Sequence, residues 1–158
     1  MDKWIATLER ALDDLGQFLR ESDWYGRENE LVNLFAHTFL LKDPSNGIQA
    51  SQLGIEVAVK QLHREGGKAL VRKDLVIWGE PNQTVWIGAT PINNPAVIVE
   101  FKANDERKCA SDILWLKSFT KKYPEVLGYS VCGFLAGKRG VSYKRIKRGE
   151  INFEAVIS

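Results

Sequence analysis

The chain has 158 residues, which suits one domain with one sizeable core. Its hydrophobic fraction of 44% and charged fraction of 27% are ordinary for a soluble globular protein. No apolar run reaches the ~20 residues that a membrane span needs, and the N-terminus has no signal pattern, so we expect a cytoplasmic protein with no membrane partner. Cys109 and Cys132 are not spaced as a zinc pair, and we expect two reduced, buried or half-buried thiols.

The formal net charge of +2 conceals an uneven distribution along the chain. Residues 1–60 carry six Lys/Arg against ten Asp/Glu, residues 61–137 carry ten against eight, and residues 138–158 carry six against two. A basic C-terminal end on a nearly neutral domain is compatible with a polyanionic partner such as nucleic acid. Many soluble proteins also end in lysines, so charge alone does not decide the partner.

The first part of the chain is predicted to be helical. Apolar residues recur with helical period over residues 3–21, and a second helical run covers about residues 27–42. The sequence Asp-Pro-Ser-Asn-Gly at residues 43–47 is a strong loop signal and ends the helical part.

The periodicity then becomes that of strands. Four strands are predicted, at residues 55–62, 69–78, 96–102 and 127–136. A turn at residues 63–68 joins the first two, and a long loop at 79–95, with a short extended piece at 84–87, joins the next two. A helix from Asp105 to about Tyr123 precedes the fourth strand, and a basic turn and final hairpin end the chain.

This order of elements predicts an α/β fold. Consecutive hairpin strands followed by a helical crossover imply a central mixed four-stranded sheet flanked by helices, with an extra N-terminal helix and a C-terminal basic hairpin. We expect a single domain over residues 1–158, with its core at about 26–136.

The third predicted strand carries the most informative residues. Residues 96–99 are fully apolar, as in a central strand, and Glu100-Phe101-Lys102 follow them. Because side chains alternate along a strand, Glu100 and Lys102 point to one face and Phe101 to the other. Charged groups at the end of a buried strand are costly unless they are paired or used.

Asp74, on the second predicted strand, completes the candidate site. If the second and third strands are neighbours joined by the intervening loop, they run antiparallel. Asp74 lies early in its strand and Glu100 late in the next, so this pairing brings both carboxylates and Lys102 together.

Two carboxylates with a lysine suit phosphodiester hydrolysis. Hard cations such as Mg²⁺ prefer oxygen ligands, polarise a phosphate and lower the pKa of a bound water. A neighbouring lysine can orient that water and offset charge on the phosphoryl oxygens, and in apolar surroundings it can assist proton transfer. The alternative is an ordinary ion pair at a sheet edge.

The order of elements, with Asp74 on one strand and Glu100-Phe101-Lys102 at the end of the next, resembles the PD-(D/E)XK nuclease superfamily. The resemblance covers roughly residues 26–136 and implies the restriction-endonuclease-like fold. It also implies that Asp74 and Glu100 bind one or two Mg²⁺ or Mn²⁺ ions and that Lys102 acts on the attacking water. Lys73 stands where the motif's name has proline, a departure that is frequent in the superfamily.

Many members of that superfamily also carry a metal-directed glutamate on the first core helix. Glu28 and Glu30 are the candidates for this catalytic and metal-binding role. The positions one helical turn from Glu28 are apolar, whereas those around Glu30 are mostly polar, so we favour Glu28. Alternatively, both are solvated first-turn residues that the helix dipole favours.

Eight basic residues are candidates for contact with nucleic acid. Arg72 and Lys73 border the predicted metal site, and the others belong to the basic C-terminal stretch: Lys138, Arg139, Lys144, Arg145, Lys147 and Arg148. Such a patch would meet phosphates without reading sequence. A solvated edge that discourages aggregation is the alternative.

The sequence therefore favours a hydrolase, a Mg²⁺- or Mn²⁺-dependent nuclease whose expected substrate is DNA. A homodimer, with one active site for each strand, is compatible with this interpretation. Two alternatives stay open: a non-catalytic binding module of the same fold, and an unrelated α/β interaction protein whose carboxylates are ion-paired.

Overall fold

The computed structural model describes residues 2–62, 69–83, 86–88 and 90–158. Within these ranges the helices are α1 (Asp2–Glu21), α2 (Glu28–Leu34) and α3 (Cys109–Lys122). The strands are β1 (Leu53–Lys60), β2 (Leu70–Ile77), β3 (Trp86–Ile87), β4 (Thr90–Pro91), β5 (Val97–Ala103), β6 (Leu127–Phe134), β7 (Gly140–Lys147) and β8 (Glu150–Ile157). None of the helices in the described ranges is long and apolar enough to cross a membrane.

Within the described residues, six strands form one mixed sheet in the order β1-β2-β5-β6-β7-β8. Strands β5 and β6 run parallel, whereas the other neighbouring pairs of this sheet are antiparallel. Helix α3 provides the crossover that a parallel pair requires. The short strands β3 and β4 form a separate ribbon in the connection between β2 and β5. The α/β class expected from the sequence is confirmed.

In the described part of the chain the main sheet has six strands, whereas four were predicted from the sequence. The basic hairpin, which we had placed beside the core, forms β7 and β8 and continues the sheet beyond β6. Three apolar residues of β7 are fully or almost fully buried: Val141, Tyr143 and Ile146. The lysines and arginines interspersed among these positions concealed the alternation that makes β7 a sheet strand.

Helices cover both faces of the sheet. Helices α1 and α2 pack on one face, and the buried leucines of α1 recur at helical spacing: Leu8, Leu12, Leu15 and Leu19. Helix α3 packs on the other face, where Leu116 and Phe119 contact the core formed by Trp78 and Ile98. The end of β5 therefore lies between two helical layers, near the first residues of both α2 and α3.

The predicted second helix is confirmed with one irregularity. Helix α2 continues directly into a π-helical turn, Phe35–Leu40. At its end the N–H of Leu41 donates to the carbonyl of Ala36, five residues earlier, at 3.0 Å. Phe35, Ala36 and Leu40 are all buried, so the wider turn keeps this segment packed in the core.

Two predicted segments lie wholly or partly outside the described residues. The turn predicted at residues 63–68 is outside them altogether. Of the extended piece predicted at residues 84–87, the structure describes Trp86–Ile87, which form β3.

Candidate functional site

The regular alternation of side chains along strand β2 is interrupted near Asp74. Val71 and Val76 are five positions apart, so regular alternation would place them on opposite faces of the sheet. Both instead pack in the core beneath α3. In the register of β1 and β2, Glu56 lies opposite Asp74, and its φ of +56° is in the left-handed region. We attribute the change of face to this local distortion.

The distortion leaves the carboxylate of Asp74 free to contact strand β5. Regular pairing of β2 with β5 ends at Leu75 and Val99. Just beyond it, Asp74 Oδ2 accepts a hydrogen bond of 2.7 Å from the backbone N–H of Phe101. The register continues to place Asp74 opposite Glu100, so carboxylates from two strands lie next to each other.

Glu100 is paired with Lys73 on the α3 face of the sheet. The Lys73 ammonium donates a hydrogen bond to Glu100 Oε1, and the two side chains are only 5% and 6% exposed. The same ammonium lies 3.6 Å from the centroid of a Trp115 ring. Lys73 is therefore an internal cation, whereas the sequence analysis expected it to border the site and contact nucleic acid.

Burial raises the pKa of Glu100 from 4.5 to about 7. The charge of Lys73 and its hydrogen bond act in the opposite direction, but Asp74 and Asp112 add to the rise. A carboxyl group with this pKa exchanges its proton near neutral pH. Such perturbed groups are concentrated at functional sites, although structural ion pairs also produce them.

Lys102 is held by two carboxylates from different helices. Its Nζ lies 3.2 Å from Glu28 Oε1 of α2 and 3.2 Å from Asp112 Oδ2 of α3, and it donates to the carbonyl of Phe101 at 2.8 Å. Burial alone would lower the pKa of Lys102, but Asp112, Glu28 and Asp74 outweigh it and raise that pKa. The ammonium therefore stays charged at neutral pH, which favours an electrostatic role over the proton transfer considered from the sequence.

Glu28, and not Glu30, faces the site. Glu28 is the first residue of α2, and its contact with Lys102 joins positions 74 residues apart. Glu30 is exposed, and its Oε2 accepts the backbone N–H of Arg27 at 2.7 Å, so it caps its own helix.

Asp112 belongs to the cluster, although the sequence analysis did not single it out. Its Oδ2 is buried and, among the described residues, has no hydrogen bond of good geometry; Lys102 Nζ is its ionic neighbour. A signal was present in the sequence. Asp112 is spaced at helical intervals between Cys109 and Leu116, which are both buried, so it lies on the face that α3 turns towards the sheet.

Several of the predicted nucleic-acid contacts have internal partners. Arg139 donates to the carbonyls of Leu19, Trp24 and Leu135, which ties the start of β7 to the end of α1. Arg145 bonds Glu9 of α1 at 2.7 Å. Lys144 lies 3.6 Å from Glu154 on the neighbouring strand. These three cations are therefore engaged within the fold.

The remaining predicted cations divide between the two ends of the sheet. Strand β7 has eight residues and is about 25 Å long, and it separates Lys138 from Lys147 and Arg148. Lys138 lies at the end of the sheet where β5 terminates, as does the exposed Arg72 at the start of β2. Lys147 and Arg148 lie at the far end.

Further exposed cations surround the candidate site. The sequence analysis did not select them: Arg27 before α2, and Arg107 and Lys108 before α3. Because α2 and α3 both begin near the end of β5, these residues and the exposed Arg72 and Lys138 form a rim, which we call the basic rim.

A cavity of about 240 Å³ lies between the start of α3 and strands β6 and β7. Cys109, Cys132 and Ser130 line it. Both cysteines are free and buried, as is usual for unpaired cysteines. A hydrogen bond from Cys132 lowers the pKa of Cys109 to about 7.

The donor atoms of the site suit a hard divalent cation. Among the described residues, no group of three His, Cys, Asp or Glu side chains is arranged to hold a metal ion. Mg²⁺, however, commonly uses one or two carboxylates together with water and substrate oxygens. Asp74 and Glu100 provide two adjacent carboxylates, and the hydrogen-bonding capacity of Asp112 Oδ2 is unsatisfied. The residues present therefore fit Mg²⁺ or Mn²⁺.

No protein-family model, curated protein or solved structure matches the chain. The resemblance to the PD-(D/E)XK superfamily therefore stays a prediction, based on three residues and the order of the elements.

Proposed function

We propose that this protein is a metal-dependent nuclease that hydrolyses phosphodiester bonds, with DNA as the expected substrate and a restriction-endonuclease-like core. One observation carries the proposal. Asp74 and Glu100, on neighbouring strands, adjoin at one end of the sheet, and the Lys102 ammonium lies within the same charged cluster. Exposed cations surround that end.

In this proposal Asp74 and Glu100 hold the divalent ion, and Glu28 is the third candidate ligand. The ion supplies the activation of a phosphate and of an attacking water. Lys102 remains a permanent positive charge and offsets charge that develops on the phosphoryl oxygens. Glu28 and Asp112 fix the position of that ammonium from opposite sides.

The basic rim would hold the substrate without reading its sequence. Contacts from Arg and Lys to phosphates supply affinity and register, whereas base contacts supply specificity. The rim is interrupted by carboxylates, such as Asp105, which pairs with Arg107. We therefore expect moderate affinity that falls steeply with salt.

A second function is favoured by the pairing of the charges. Both lysines of the cluster already contact carboxylates, Lys73 with Glu100 and Lys102 with Glu28 and Asp112. Such a neutralised cluster is what a non-catalytic nucleic-acid-binding module of the same fold would have.

Cleavage of a panel of labelled nucleic acids distinguishes the two functions. The panel contains duplex, single-stranded, junction and flap DNA with RNA counterparts, each incubated with Mn²⁺, Mg²⁺ or chelator. A nuclease cleaves at least one substrate only with the ion, and Asp74→Asn and Lys102→Ala abolish cleavage. Lys42→Ala, which removes an exposed lysine away from the site, serves as the matched control and retains it. Binding without ion-dependent cleavage of any substrate supports the binding module.

A further inference from the structure

Lys73 occupies an unusual position for a lysine. It stands next to Asp74 in the sequence, yet its ammonium is buried against Glu100 and lies over the ring of Trp115. Its exposed neighbour Arg72 contacts Glu56 at 3.8 Å on the outside of the same strand pair. Only one of these two adjacent cations is thus inside the fold.

Two further side chains fix the indole ring that the Lys73 ammonium contacts. The N–H of the Trp115 side chain donates to Gln61 Oε1 at 3.0 Å, and the indole stacks on Phe119 at 4.7 Å between centroids. The distortion of β1 and β2 opposite Glu56 turns Lys73 to the α3 face. A buried ion pair is generally no more stable than apolar residues of similar volume. Stability alone therefore does not explain why a cation lies at this position.

Lys73 contacts an oxygen of the carboxylate that would hold the proposed ion. Lys73 bonds Glu100 Oε1, while Asp74 Oδ2 is occupied by the backbone of Phe101. A divalent ion on Glu100 would lie within a few ångströms of the Lys73 ammonium if that group stayed where it is. Repulsion between like charges is strong at such distances in a partly buried site.

We propose that Lys73 is a positioning residue that acts as an internal substitute for the divalent ion: its ammonium occupies the ion's place on Glu100 and moves away when the ion binds. This inference depends on the proposed metal site. It implies that Lys73 keeps Glu100 oriented while no ion is bound, and that it weakens ion affinity by competing for the same oxygen.

Calorimetric titration with Mn²⁺ measures this competition directly. We expect Lys73→Gln and Lys73→Met to bind Mn²⁺ more tightly than the wild type, by on the order of tenfold. Lys73→Arg keeps the charge and should gain no affinity. Lys121→Gln makes the same charge change at an exposed position, six residues beyond Trp115 on α3, and should leave affinity unchanged.

A measurement on the wild-type protein does not depend on folding of the variants. Because the Lys73 ammonium lies 3.6 Å from the centroid of a Trp115 ring, we expect the NMR signals of its neighbouring methylene protons to be displaced upfield. Saturating Mg²⁺, which is diamagnetic, should return them towards the usual lysine position.

The outcomes separate this inference from the proposed function. If the wild type binds Mn²⁺, but folded Lys73→Gln binds it no more tightly or the Lys73 signals do not move with Mg²⁺, the inference is overturned and the metal site stands. If neither folded wild type nor folded Lys73→Gln binds Mn²⁺, the metal site and the inference both fail.

Discussion

Lys102 Nζ and Asp112 Oδ2 lie 3.2 Å apart and join the end of strand β5 to the first turns of helix α3. Their side chains are about one-fifth exposed, so water screens the pair only in part. The contact links the lysine of the candidate site to a helix that the sequence analysis had regarded as a crossover only.

Asp112→Asn should destabilise the protein by about 1–3 kcal/mol, because it removes a charged partner from a half-buried ammonium. Urea unfolding measures this change. Glu154→Gln, which removes the partner of Lys144 at a more exposed site, is the matched control and should cost less than about 1 kcal/mol. Equal losses in the two variants would contradict a special role for Asp112.

The raised pKa of Glu100 predicts how stability depends on pH. Its folded-state pKa of about 7 exceeds its ordinary value of 4.5, so between these values the folded state binds more protons than the unfolded state. The contribution of Glu100 to the free energy of unfolding is then fully present below about pH 4.5 and is lost as pH rises through about 7.

Urea midpoints between pH 4 and 8 test this prediction when the wild type is compared with Glu100→Gln. The free energy of unfolding of the wild type minus that of Glu100→Gln should fall between pH 4 and pH 8. The expected fall, given by the pKa difference, is up to about 3 kcal/mol. A difference curve that is flat, or that rises with pH, would show that Glu100 keeps an ordinary or lowered pKa.

The left-handed backbone of Glu56 predicts opposite effects of two substitutions. Glu56→Gly removes the steric cost of a positive φ and should raise the free energy of unfolding by up to about 1 kcal/mol. Glu56→Val should lower it by about 1–3 kcal/mol, because a β-branched residue is strained there. Equal losses in the free energy of unfolding of both variants would mean that φ of Glu56 is not positive in solution.

Lys138 and Arg139 are adjacent basic residues with different expected roles. Lys138→Ala should leave stability unchanged, weaken DNA binding and reduce its dependence on salt by about one phosphate contact. Arg139→Ala should cost about 2–4 kcal/mol, since three carbonyls lose their donor. Thermal unfolding and binding titrations at several salt concentrations measure both effects. A stable Arg139→Ala variant with impaired DNA binding would reverse these assignments.

Much of the fold was predictable because the periodicity of the chain is clear. Helix α1 and strand β5 have strong helical and apolar patterns, and both were located to within a few residues. The antiparallel pairing of β2 with β5 followed from the intervening loop, and extending its register by one pair places Asp74 opposite Glu100.

The surroundings of these carboxylates were not predictable in the same way. Regular alternation places Lys73 on the face opposite its actual one, and only the distorted backbone at Glu56 changes that. The partners of Arg139 are backbone carbonyls, two of them at distant positions, and every residue has one, so the sequence does not indicate which of them accept its hydrogen bonds. Asp112 is different, because its helical spacing could have identified it.

The charged cluster draws on four elements, and its first and last members, Glu28 and Asp112, enclose about half the chain. A chain emerging from the ribosome would therefore hold only part of this cluster until α3 has been synthesised and has docked. Incomplete or partly folded forms would lack the assembled cluster, so any activity that depends on it would be confined to molecules whose folding is finished.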